Sequence, residues 1–119
     1  MISRPLLVPC CHCSWCPRES ESASALNALI ETDRLELLSG VPEIVKIPSN
    51  SGKGQNVVCC PKRGVVVWSH YGGAGLTRAF VKVGTLDHPD SCPPDTHIFT
   101  ESKQKWVAIP PDARAMRGY

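Results

Sequence analysis

Four cysteines, Cys10, Cys11, Cys13 and Cys16, fall within seven residues near the start of the chain. Cys11-His12-Cys13-Ser14-Trp15-Cys16 is a C-x-C-x-x-C chelate. Three thiolates this close in sequence can wrap one Zn²⁺, because a tight loop brings the sulfurs to the ~2.3 Å that zinc requires. Soft thiolates also select zinc over hard ions such as magnesium. Three protein ligands leave a fourth tetrahedral position, which is open in catalytic sites and closed in structural ones. Spacing does not choose between these. Cys10, Cys59 or Cys60 could close the site, or the thiols could pack in a core without metal, as small hydrophobes. Cys13-Ser14-Trp15-Cys16 is also a C-x-x-C, but lacks the strand before and the helix after that a thioredoxin-like redox site has.

The other residues able to do chemistry are scattered. His12, between two ligands, reads as a spacer that points away. His97 could orient a substrate or a metal-bound group, or be a strand histidine beside a turn. His70 and His88 lie in turn-like segments and should face solvent. Asp87 most simply bonds turn amides. Cys59 beside Cys60 and the solitary Cys92 complete the seven cysteines.

The elements that position these groups are bounded by composition. The 119 residues make one domain, and an apolar share of 42% supports a packed interior. Three Trp, two Tyr and two Phe are too few for a base-stacking platform, and a net charge of +2 is too weak an electrostatic footprint for nucleic acid. Eleven Pro and nine Gly argue against a helix bundle and for short strands joined by turns. An odd cysteine count does not suggest a disulfide framework. Leu6-Leu7-Val8, between Pro5 and Pro9, is too short for a signal-peptide core, and nothing approaches a membrane span of ~20 apolar residues. The expected setting is the cytoplasm or nucleus, where thiols stay reduced, with no membrane partner.

Along the chain, Ala25–Ile30 reads as helical on propensity, since Ala and Leu dominate. Pro42–Ile47, Gln55–Cys60 and Gly64–Trp68 read as strands, the last two forming a hairpin around Pro61-Lys62-Arg63. Tyr71–Gly75 reads as loop. Arg78–Leu86 alternates polar and apolar residues and reads as one strand. His97–Phe99 and Lys105–Ile109 read as a final pair of short strands. The fold class expected is mainly β, without a long helix.

Cys11-His12-Cys13-Ser14-Trp15-Cys16-Pro17-Arg18, Cys60-Pro61-Lys62, Val83-Gly84-Thr85-Leu86-Asp87, His97-Ile98-Phe99 and Ser102-Lys103-Gln104-Lys105-Trp106 follow one another in the order of a known family. The chain resembles the glutathione-dependent formaldehyde-activating enzymes, a family that includes centromere protein V. The resemblance runs from about Cys11 to Pro111. It divides the chain into a lead-in (residues 1–10, with the family's first strands falling outside), a zinc domain (11–111) and a tail (112–119). It implies an antiparallel, Mss4-like β architecture.

The resemblance also implies a catalytic zinc held by Cys11, Cys13 and Cys16. A second, structural zinc of the family uses an early C-x-C and a later C-x-x-C. The later motif here reads Cys60-Pro61-Lys62-Arg63, so Cys60 is the one remaining ligand and Arg63 stands in place of a cysteine. One zinc, not two, is therefore expected. The implied activity joins formaldehyde to glutathione as S-hydroxymethylglutathione, a carbon–sulfur lyase reaction in reverse, with glutathione or another small thiol as partner. Lys62, Arg63 and Lys103–Lys105 could attract its carboxylates. A non-catalytic zinc module serving as an interaction partner is the alternative implied by the centromere member.

Overall fold

The computed structural model describes residues 1–20, 22–48, 52–72 and 75–118. Their strands are β1 (Pro9–Cys11), β2 (Ala25–Glu31), β3 (Glu43–Ile47), β4 (Gln55–Cys59), β5 (Val66–Tyr71), β6 (Arg78–Lys82), β7 (Thr96–Ile98) and β8 (Arg114–Ala115). They form one sheet in the order β3-β4-β5-β6-β2-β1-β7-β8. A single five-residue helix, α1 (Cys16–Ser20), interrupts the β pattern among the described residues. The mainly β expectation holds.

Local chemistry accounts for one half of the sheet. β3, β4, β5 and β6 pair antiparallel with their sequence neighbours. The expected β4–β5 hairpin turns through Pro61-Lys62-Arg63, and Gly64 follows in the left-handed region at φ +69°. Its N–H donates to the Cys60 carbonyl at 2.7 Å, while Cys60 N–H donates to the Val65 carbonyl at 2.9 Å. Gly supplies that conformation at little steric cost.

The other half is built by long-range pairing. Ala25–Ile30 is a strand, not a helix. β2 lies between β1 and β6, pairing antiparallel with both. Its even-numbered residues face the principal core, where Ala28 and Ile30 pack with Val8, Ala79, Val81, Val83 and Cys92. Burial against two neighbouring strands outweighs the modest helix preference of Ala and Leu. β1 then pairs in parallel with β7, and β7 with β8. This makes one edge of an otherwise antiparallel sheet parallel.

Three further expectations change. The strand over Arg78–Leu86 stops at Lys82, because Val83–Thr85 coils into a 3-10 turn in which Thr85 Oγ1 donates to the Lys82 carbonyl at 2.7 Å. Lys105–Ile109 forms no strand. There Val107 N–H donates to the Gln104 carbonyl, and Trp106 stays exposed with Nε1 donating to Gln104 Oε1 at 2.8 Å. Of the loop expected over Tyr71–Gly75, Tyr71 closes β5, and Gly73 and Ala74 lie outside the described residues. Both ends of the chain join the sheet. Leu7 bridges to Leu29, and β8 lies within 112–119, with Met116 N–H donating to the His97 carbonyl at 2.8 Å. Among the described residues, no helix is long and apolar enough to cross a membrane.

Candidate metal centre

Successive residues of a strand point to opposite faces, and β1 uses this to sort its cysteines. Cys11 pairs with Ala25, Cys10 with Leu26. On the Cys11 side, Cys13, Cys16 and Ala25 form a small buried cluster, closed by Cys11, Trp15 and Phe99. On the Cys10 side, Val8 belongs to the principal core. The sulfurs of Cys11, Cys13 and Cys16 converge, all within 4.8 Å of one another. Cys13 and Cys16 are buried and Cys11 half-buried. Cys13 Sγ donates to Cys16 Sγ at 3.0 Å.

The protonation pattern follows from that crowding. A hydrogen bond from Cys16 holds the Cys11 thiol down to about 6, helped by the Cys13 amide and thiol and by the positive charge of Lys82, and opposed by burial. The same bond, burial and the neighbouring thiolates push Cys16 up. Cys11 gives up its proton readily. Removing that of Cys16 calls for a cation among the sulfurs, which is how thiolate metal sites behave.

Phe99 walls this cluster in an unusual backbone state. It is the one non-glycine residue at positive φ among the described residues, at φ 53° and ψ 42°. Its N–H donates to the Gly118 carbonyl at 3.0 Å, and its own carbonyl accepts from Ser102 N–H at 3.2 Å. Ser102 Oγ also donates to the His12 carbonyl at 2.9 Å, tying this turn to the chelate. Such strain persists where surrounding bonds over-determine the backbone. Nothing in the local sequence signals it.

A second group lies off the triplet. Cys10, His12 and His97 are all buried and offer ligand atoms within 4.8 Å of one another. His12 does point away from the triplet, as a spacer should, but into this group: its Nε2 lies 3.0 Å from His97 Nδ1. Burial, then the electrostatic influence of His97 and of the Lys103 ammonium, holds the His12 imidazole below its ordinary value. Burial pushes the Cys10 thiol up. Cys10 Sγ donates to Ser24 Oγ at 3.2 Å. Cys10 therefore stands with two histidines rather than closing the triplet. The sequence reading missed this group, although the alternation of Cys10 and His12 along an extended segment was a signal.

The remaining nominated residues are elsewhere. Cys60 sits at the β4–β5 turn, just past a strand four positions along the sheet from β1, and belongs to neither group. Amides of Arg63 and Lys62, with the positive charges of both, hold its thiol below the ordinary value. Lys62 and Arg63 share that distant turn. His70 lies within β5, not in a turn: its Nε2 accepts from Trp68 Nε1 at 3.2 Å and its Nδ1 donates to the Arg78 carbonyl at 2.9 Å. Cys92 is buried in the principal core, and His88 and Asp87 are exposed.

A family model described as glutathione-dependent formaldehyde-activating enzyme matches residues 1–102. The chain belongs to this family. The match spans β1 through β7, and so covers the triplet and both histidines of the second group. The mainly β sheet is consistent with the Mss4-like architecture that the resemblance implied. No curated protein matches the chain. As a member of the glutathione-dependent formaldehyde-activating family, the chain carries, among its described residues, two Cys/His groups able to hold a metal.

Proposed function

We propose that Cys11, Cys13 and Cys16 hold a zinc ion, and that the protein joins formaldehyde to the thiol of glutathione as S-hydroxymethylglutathione. The observation that carries this reading is the convergence of three sulfurs within 4.8 Å in a chain of this family. Sulfurs at ~2.3 Å from a tetrahedral zinc stand ~3.8 Å apart, a separation the cluster accommodates. Bound zinc supplies a cation that keeps a thiol deprotonated near neutral pH and polarises a carbonyl oxygen. Three thiolates overbalance its charge, which favours positioning of the thiol over carbonyl activation.

The chain's own residues shape the rest. Cys13 and Cys16 anchor the site from inside, and half-buried Cys11 leaves its outer side to solvent. The Trp15 indole packs against the cluster, its Nε1–H buried and without a hydrogen-bond partner among the described residues. The charge of Lys82 is felt at Cys11 and that of Lys103 at His12. These two cations suit glutathione's carboxylates better than distant Lys62 and Arg63. In the reaction the thiol sulfur attacks the formaldehyde carbon, a carbon–sulfur bond forms, and the carbonyl electron pair moves to oxygen, which takes up the thiol's proton. Free thiols and glutathione stay reduced in the cytoplasm and nucleus, and this reading puts the protein there.

Cobalt substitution tests the proposal. Thiolate ligation of Co²⁺ gives a charge-transfer absorption, and glutathione should raise it by about one further thiolate's contribution at a site with three cysteine ligands. Cys11→Ser should lose that response. Glutathione and formaldehyde should combine faster with the zinc-loaded protein than with the metal-free chain. A cobalt spectrum indifferent to glutathione would sink the enzyme reading.

A further inference from the structure

We propose that Cys10, His12 and His97 form a second metal site, separate from the triplet, for a borderline divalent ion of the zinc type. The sequence pointed to a single zinc because Arg63 replaces a cysteine at the β4–β5 turn. The fold assembles another donor set in a different place.

Backbone pairing places these donors. Cys10 and His97 are register partners in the parallel β1–β7 ladder. His12 N–H donates to the Ile98 carbonyl at 3.0 Å, which keeps the segment after β1 extended and returns His12 to the Cys10 face. The trio is thus held by main-chain hydrogen bonds from two strands. It does not depend on a loop closing around an ion.

The donor chemistry is specific. One thiol and two imidazoles suit zinc and its neighbours in the first transition row, whereas magnesium and calcium take oxygen ligands. His12 Nε2 and His97 Nδ1 are 3.0 Å apart. Two nitrogens at ~2.0 Å from a tetrahedral ion stand ~3.3 Å apart, so the pair needs little movement to share one. All three side chains are buried, His12 to 1% exposure.

Without an ion the polar atoms of the group are only partly satisfied. The two histidines meet each other and Cys10 meets Ser24, yet His12 Nδ1 is buried with no hydrogen-bond partner among the described residues. Buried polar atoms are rarely left so. An ion held by His12 Nε2 and His97 Nδ1 takes the place of their mutual hydrogen bond and leaves Nδ1 of His12 to carry that ring's proton.

Metal counting on the full chain, loaded with Zn²⁺ under reducing conditions and then dialysed, decides the matter. Two ions per chain are expected. Cys10→Ser and His97→Gln should each leave one, Cys13→Ser should leave one, and Cys10→Ser combined with Cys13→Ser should leave none. In cobalt-loaded Cys13→Ser the remaining ion should show the charge-transfer band of a single thiolate, abolished by adding Cys10→Ser. One ion in the wild-type chain, or two retained by both Cys10→Ser and His97→Gln, would overturn the site. Should those variants fail to fold, nitrogen NMR of the wild-type imidazoles decides instead. Loading must shift the His12 and His97 ring signals, and unmoved signals refute the proposal. The count with the triplet intact is independent of glutathione turnover, so this site and the proposed activity can fail separately.

Discussion

His12 Nε2 and His97 Nδ1 lie 3.0 Å apart, although 85 positions separate them in the chain. Their rings are within 18° of parallel and both are buried. The contact exists because β1 and β7 run side by side in parallel, and parallel neighbours must be joined by a long connection. Here that connection carries β2 through β6. The segment running from β1 into the chelate thus carries Cys11 on one face and, on the other, Cys10 and half of a histidine pair.

The triplet predicts a sharp contrast between two buried cysteines. Cys13→Ser should lose the ion held by Cys11, Cys13 and Cys16, because a hydroxyl replaces a thiolate poorly and two sulfurs do not retain the metal. Cys92→Ser should leave metal content unchanged, since Cys92 packs in the principal core away from both groups. Metal analysis of the purified variants checks this. Equal losses would refute the ligand assignment.

Phe99 predicts an inverted stability order. Phe99→Ala removes the ring that packs on Cys13, Cys16 and Ala25 while keeping a β-carbon at φ 53°. Phe99→Gly removes the same ring and the left-handed strain, so it should be more stable than the Ala variant by about 1 kcal/mol. Midpoints of urea unfolding measure the order. Gly equal to or below Ala would show that the backbone there is unstrained.

Adjacent Cys59 and Cys60 should differ in reactivity. Amide hydrogen bonds from Arg63 and Lys62 and their positive charges lower the Cys60 thiol, whereas burial and Glu43 raise Cys59. Thiolate is the reactive form, so near neutral pH Cys60 should be alkylated by iodoacetamide well ahead of Cys59. As pH rises, the Cys60 rate should level off first, because its thiol titrates at the lower pH. Peptide mass spectrometry across a pH series reads both sites. Equal rates at every pH would remove the role given to the turn amides.

What the sequence determined by itself is mostly local. The C-x-C-x-x-C spacing limits how far Cys11, Cys13 and Cys16 can separate, so their convergence was legible before any fold was known. The β4–β5 hairpin was legible too, because Pro61-Lys62-Arg63-Gly64 carries its own turn chemistry between two β-branched runs. Tertiary structure decided everything that depends on a distant partner. Ala25–Ile30 has helical propensity, but becomes a strand because β1 and β6 offer it two ladders and the core takes Ala28 and Ile30. Lys105–Ile109 has a strand's composition and meets no ladder among the described residues. Residues 112–119 read as a tail, yet Arg114–Ala115 finds the open edge of β7. The two faces of β1 show the division most clearly. Alternation along the strand separates Cys10 from Cys11, but only the parallel register with β7 brings His97 to Cys10 and His12, because no local spacing encodes a contact made across most of the chain.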